Sequence, residues 1–198
     1  MPAPMPQPIR QRRRADAERS IAAILDAAVE ALSERPDASM EDIAKAAGVA
    51  RQTIYAHYDS REALLGAVQQ RALAQAVAAI DAAQPDEGPP AAALDRLITA
   101  SWQTLERHAR LLDNFFAMLG PEEVHALHRP IRDRLEPLIG RGQRAGVFDR
   151  HLSRGWVFAA VLGLFHATAQ EVGAGRMSAE NAARALRRAI PRLLGVTD

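Results

Sequence analysis

The 198-residue chain contains no cysteine, which excludes disulfides and thiolate chemistry and leaves a zinc site only histidine and carboxylate ligands. Aromatic residues make up 5% of it, so its core must come from alanine and aliphatic side chains, as in closely packed helices. No Val/Ile/Thr-rich run alternates with polar residues, and strands are not expected. Lys45 is the only lysine, and all other basic charge is arginine; with the abundance of Ala and Pro this suggests a G+C-rich bacterial genome. The formal net charge of +1 is too small to mark a nucleic-acid binder by itself. The charge-free segment Trp156 to Gln170 is too short to span a bilayer, and no apolar stretch of signal-peptide type follows the arginines near the start. No membrane partner is therefore expected, and a cytoplasmic location suits the composition. A Gly-rich phosphate loop, a G-x-S-x-G elbow and an H-E-x-x-H pair are all missing. Neither a catalytic residue, a cofactor nor a metal site is predicted, and the chain is read as something other than an enzyme.

What the chain does have is the segment Ser39 to Val68, SMEDIAKAAGVARQTIYAHYDSREALLGAV. Ser39 can cap a helix, and Asp42, three residues on, can reach back to the cap's backbone N–H. Ile43, Ala44 and Ala47 form an apolar stripe. Gly48 follows and tolerates the left-handed backbone of a sharp reversal. Val49 and Ile54 can bury in the angle between this helix and a second short one, which leaves Arg51, Gln52, Thr53, Tyr55 and His57 outward. The unit reads as a DNA-binding helix-turn-helix. Arg can pair with guanine O6 and N7, and Gln with adenine N6 and N7. Thr53, Tyr55, His57 and, on the next helix, Arg61 suit phosphate oxygens. Ser39 completes the predicted DNA-contacting set. The alternative is that these are ordinary solvated side chains of a small helical domain.

Ile43-Ala44, Ala46-Ala47-Gly48-Val49, Thr53-Ile54-Tyr55, His57-Tyr58 and Arg61-Glu62-Ala63-Leu64-Leu65, within Ile21 to Val68, resemble the N-terminal domain of the tetracycline-repressor (TetR) family. The likeness covers about a quarter of the chain. It departs from the family pattern where Ala50 replaces a Ser or Thr, where Arg35-Pro36-Asp37 replaces a glycine-containing loop, and where Tyr58 replaces Phe. Losing the cap at Ala50 costs about 0.5–2 kcal/mol of helix stability. The resemblance implies an all-α homodimer that represses transcription at a pseudo-palindromic double-stranded DNA operator until a small-molecule effector, of unknown identity, releases it. The rival reading is a helical small-molecule-binding or enzymatic domain with a vestigial helix-turn-helix; a third is a constitutive DNA binder.

Around this unit the predicted organisation has three parts. Residues 1–15, with Arg10, Arg12, Arg13 and Arg14 in a Pro-rich leader, are either a flexible basic arm that follows phosphates or a solvated tail. Residues 16–62 form the DNA-binding domain, its first helix running from Asp16 or Arg19 to Glu34 over a stripe of Ile21, Ile24, Leu25, Ala28 and Leu32. Residues 63–198 form a ligand-binding and dimerisation domain. A long helix capped by Asp59 or Ser60 joins the two and serves as the expected lever. Gln84 to Pro90 reads as the clearest linker, followed by helices near Ala91–Arg107 and Ala109–Leu119. A helix from Glu122 to Arg141 should be kinked or divided at Pro130 or Pro137. The last helix is expected over Ala179 to Leu194.

Trp102, His108, Phe115, Phe116 and Met118 are candidate effector contacts, as are His125, Phe158, Phe165 and His166, since such pockets are mostly apolar with a few polar handles. Each has an alternative as plain core packing. Gly155, Ala159, Gly163 and Ala167 fall four apart, a ridge of small residues on which another helix can approach closely. Ala159, Leu162, Gly163 and Ala167, with Ala183, Leu186 and Ile190 on the last helix, are the predicted dimer contacts; the alternative is that these helices close a monomer's core.

Overall fold

The computed structural model describes residues 9–116 and 121–196, and their side chains except those of 9–18, 107–116, 121, 124 and 125. The described residues form nine α-helices and no strand. They fall into two compact units, divided between Arg71 and Ala72.

In the first unit α1 (Ile9–Glu34) starts earlier than the sequence pattern suggested, so the arginines at 10 and 12–14 lie on helical backbone. Arginine and alanine are strong helix formers, and the apolar stripe used to place the start weighs only the buried face. Of that stripe Ile24, Ala28 and Leu32 are buried and Ile21 and Leu25 half-buried, and Val29, outside it, is buried as well. Helices α2 (Met40–Ala46) and α3 (Arg51–Tyr55) follow, then α4, Arg61–Ala82. Ala38, Met40, Ile43, Ala44, Ile54, Leu64 and Val68 are the further buried apolar residues of this unit. On α4, Arg71 reaches α1 with a two-pronged pair to Asp26, both bonds 2.7 Å.

The second unit holds α5 (Pro90–Phe116), α6 (Pro121–Leu127), α7 (Arg129–Arg144), α8 (Arg154–Gly173) and α9 (Ala179–Leu193). One uninterrupted α5 replaces the start of the two helices expected there. The Gln84–Pro90 stretch is a loop inside this unit, not a linker between units. Pro, Gly and Asp mark any chain reversal, and two arginines tie this one down. Arg96 donates to the carbonyls of Ala83, Gln84 and Glu87 at 2.8–2.9 Å, and Arg141 to those of Pro85, at 2.7 Å, and Asp86. The division near Pro130 falls at His128, between α6 and α7, while Pro137 is accommodated inside α7.

Leu94, Ile98 and Trp102 of α5, Leu135, Leu138 and Ile139 of α7, Val157, Phe158, Val161 and Phe165 of α8, and Leu186 and Ile190 of α9 form the core. At Gly142 a Cβ atom would lie 2.0 Å from the Phe148 ring, so α7 and the turn after it can meet only at a glycine. No helix among the described residues is long and apolar enough to cross a membrane.

Candidate nucleic-acid interface

Local rules build the turn. Ser39 is the N-cap of α2: its hydroxyl accepts from the Asp42 N–H at 3.1 Å, and the Asp42 carboxylate accepts from the Ser39 N–H at 2.9 Å, the reciprocal arrangement read from the sequence. The Ser39 hydrogen bonds and the nearby Arg35 guanidinium lower the Asp42 carboxyl to about 2. At the other end Gly48, with φ of +66°, donates to the Lys45 carbonyl at 3.2 Å, and Val49 donates to that of Ala44 at 3.0 Å. These two bonds are the Schellman ending of a helix, whose left-handed residue favours glycine. Helix α3 then begins without a side-chain cap, because Ala50 has nothing to offer.

Helix α3 has five residues, of which Ile54 alone is buried. Arg51, Gln52, Tyr55 and His57 are exposed and Thr53 is half-buried. The Arg51 guanidinium donates from Nη2 to the Tyr55 hydroxyl at 3.2 Å, with its carbon 5.2 Å from the centroid of that ring. This hydrogen bond, with the Glu41 charge, holds Arg51 more firmly protonated. The side chain of Tyr58 is half-buried, and that burial pushes its phenol up.

Two predicted contacts are committed elsewhere. Arg61 donates to the carbonyls of Ala38 and, at 3.1 Å, Pro36, so it fastens the loop before α2 rather than standing free beside a phosphate. The Ser39 hydroxyl donates to Asp42 at 2.7 Å; a serine has one such hydrogen, and the cap uses it. Sequence spacing places a residue on a face but does not reveal what its longest atoms will find across a loop of the fold.

In the second unit the predicted effector contacts whose side chains are described do not converge on one cavity. Trp102 is buried, its indole N–H unpaired, and it lines a cavity of about 290 Å³ between α5 and α9 together with Ile98, Thr99, Gln103, Glu106 and Arg187. Phe158, Phe165 and His166, the other predicted effector contacts with described side chains, do not line that cavity. Phe158 and Phe165 are buried core residues of α8. Arg132 stands 5.8 Å over the Phe158 ring. His166 meets the buried His128 edge to face at 5.3 Å, and burial, then the charge of His128, lowers His166 to about 4. Met118 and the side chains of His108, Phe115, Phe116 and His125 lie outside the described residues. Thr99, Gln103 and Glu106 escaped the sequence reading, yet Thr99 lies three before Trp102 and Glu106 four after it, the spacing of one helix face, and Gln103 is its chain neighbour. Arg187, which pairs with Asp95 at 2.6 and 3.0 Å, carried no local signal.

Of the predicted dimer contacts, Ala159, Gly163 and Ala167 are exposed and Leu162 and Ala183 half-buried. Leu186 and Ile190 are core residues of the chain itself. The apolar stripe of α9 faces inward, so these two are unavailable to a second copy.

Comparison with known proteins agrees with this geometry. Residues 24–68 match the family described as bacterial regulatory proteins, tetR family. The transcriptional repressor LfrR of Mycolicibacterium smegmatis is 44% identical over 81 residues, 41% of this chain and 43% of that protein, so the match spans less than half the length of this curated relative. The uncharacterized transcriptional regulator YvdT of Bacillus subtilis is 26% identical over 164 residues, 80% of this chain and 84% of its own. The crystal structure of LfrR from Mycobacterium smegmatis in complex with proflavine superposes with a TM-score of 0.71 at 27% identity, covering 91% of this chain and 98% of the other. The capped α2, the glycine turn and the exposed α3 all lie inside the matched residues, so residues 24–68 are a DNA-binding domain of the tetR family of bacterial regulatory proteins, in a chain whose fold is that of the regulator LfrR.

Proposed function

We propose that the chain is a homodimeric repressor that binds a pseudo-palindromic operator in the cytoplasm and is released by a small-molecule effector. The observation that carries the reading is α3: five residues long, with Ile54 alone buried, it exposes Arg51, Gln52 and Tyr55 to solvent. Arg51 and Gln52 would read base edges, and Thr53, Tyr55 and His57 would touch phosphates. Residues 16–62 would do the reading, and 63–198 the effector binding and pairing.

The dimer is supported by α8. Its outer face carries Gly155, Ala159, Gly163 and Ala167 beside Trp156, which is 52% exposed, and small residues allow a second helix to approach closely. The effector is supported by LfrR, crystallised with proflavine; in this chain, Trp102 on its cavity and the Phe158–His166 region are the two places to look. An effector that shifts DNA-bound to free protein from 99:1 to 1:99 must prefer the free form by about 5.5 kcal/mol.

Selection from random-sequence duplexes tests the function. An inverted repeat with half-sites about 34–36 Å apart is expected, along with a dimeric mass that Gly163→Glu converts to monomer. Weak, sequence-independent, salt-sensitive retention would instead favour a helical small-molecule-binding domain.

A further inference from the structure

We propose that Tyr55 is a positioning residue for Arg51, holding its guanidinium in the orientation from which it reads a base edge. The inference rests on the DNA-reading function above and departs from it by moving Tyr55 from backbone contact to sequence specificity.

Arg51 and Tyr55 lie four apart on α3, neighbours on one helix face. Both are exposed, and an exposed arginine ordinarily samples many rotamers whose loss must be offset on binding. Here one arrangement is already selected. The hydroxyl of Tyr55 accepts from Nη2 at 3.2 Å, and the guanidinium carbon sits 5.2 Å from the ring centroid, within reach of the attraction between a cation and an aromatic face. A guanidinium has five N–H donors in a fixed fork. One, on Nη2, goes to Tyr55, and the second Nη2 hydrogen, with its neighbour on Nε or Nη1, remains for a two-pronged contact to guanine O6 and N7. The same hydroxyl keeps its own hydrogen, so holding Arg51 does not prevent it from touching DNA. A residue that served only as a phosphate anchor would have no need to face the one arginine on the helix.

Two measurements on the full chain decide the matter. In the free protein, the Arg51 δ-methylene protons should show a ring-current shift by NMR that persists in Tyr55→Phe and vanishes in Tyr55→Leu; an unchanged shift in Tyr55→Leu overturns the pairing. On the selected operator, base preference is then measured at every position by competition. Tyr55→Leu should lower the preference at the one base pair that Arg51→Ala flattens, by about three- to tenfold, and Tyr55→Phe should lower it less. The double variant should be no flatter there than Arg51→Ala alone, because the tyrosine acts through the arginine. Uniform weakening of all sequences with preferences intact makes Tyr55 a backbone contact and overturns the inference. A wild-type protein that selects no sequence overturns the DNA-reading function itself, a failure distinct from intact selection with Arg51 and Tyr55 acting independently.

Discussion

In the first unit the candidate functional side chains stand apart from the residues that hold the fold together: Ile54 of α3 is buried while Arg51, Gln52 and Tyr55 face solvent. In the second unit the same residues serve both ends, for Trp102, Phe158 and Phe165 are candidate pocket walls and are 3%, 4% and 6% exposed within the core. The difference teaches where mutation can separate function from stability. On α3, one turn of helix carries positions of both kinds. Around α5 and α8, removing an aromatic wall also removes core.

The sharpest way to break this comparison is at neighbouring positions of one helix. Ile54→Ala is expected to cost roughly 2–5 kcal/mol, the usual penalty for emptying a fully buried aliphatic site, read as a lowered urea midpoint. Arg51→Ala, three residues away and exposed, is expected to stay within about 0.5 kcal/mol of wild type while relaxing operator preference at one base. Equal destabilisation by the two would show that α3 does not divide its labour.

In the second unit Gly142→Ala should cost about 1–3 kcal/mol by overpacking, since the added methyl group would meet the Phe148 ring at 2.0 Å. Phe148→Leu in the same background should recover part of the loss. Thermal melts of the two single variants and the double variant check this, and additive losses would remove the proposed contact.

These positions also show what the sequence could reveal. The turn was legible because its parts lie within a few residues of one another: Ser39 with Asp42, Gly48 after Ala47, Ile54 behind Val49. The packing of α9 was legible in the same way, with Ala182, Leu186 and Ile190 buried at helical spacing, although that same stripe misdirected Leu186 and Ile190 to a partner chain. What remained hidden was the meeting of one element with another. Arg61 reaching Pro36, Arg141 reaching Pro85 and Gly142 receiving Phe148 depend on where elements meet, and no local period encodes that. The Arg51–Tyr55 contact is an intermediate case, since the spacing of four was visible and only the geometry revealed its content.

A smaller effect comes from pH and separates the units without mutation. Burial and then His128 hold His166 at about 4, below the ordinary histidine value of 6.5. The unfolded chain therefore binds a proton between those values that the folded chain refuses. Stability from this site is complete above about pH 6.5 and is lost as pH falls toward 4, on the order of 1–2 kcal/mol once partial exposure is allowed for. Asp42 in the first unit acts lower: its carboxyl is held at about 2 against 3.8, so its contribution is present above pH 3.8 and lost as pH falls toward 2. Acid titration followed by NMR at residues of each unit should show the second unit responding first, and His166→Asn should flatten that response. An unchanged profile would place the first titration elsewhere.

The smallest predicted change sharpens the first unit's side of the comparison by adding what α3 lacks. Ala50 already has the extended backbone of an N-cap, φ −70° and ψ 145°, but its side chain makes no capping bond. The geometry is thus in place and only the oxygen is missing. Ala50→Ser supplies an acceptor for the orphan N–H groups of the first turn and should stabilise by about 1 kcal/mol, within the range of 0.5–2 kcal/mol seen for such caps. Thr at the same site also supplies the oxygen and should give much of this gain, while Val, of the same shape without the hydroxyl, should give none, which separates capping from added bulk. Because α3 is five residues long, one terminal bond bears on a large part of it, so operator affinity should rise with the melting temperature while base preference stays as it was. A serine variant that changed preference instead would mean that position 50 touches the DNA directly, and the line between holding α3 and reading with it would have to be drawn one residue earlier.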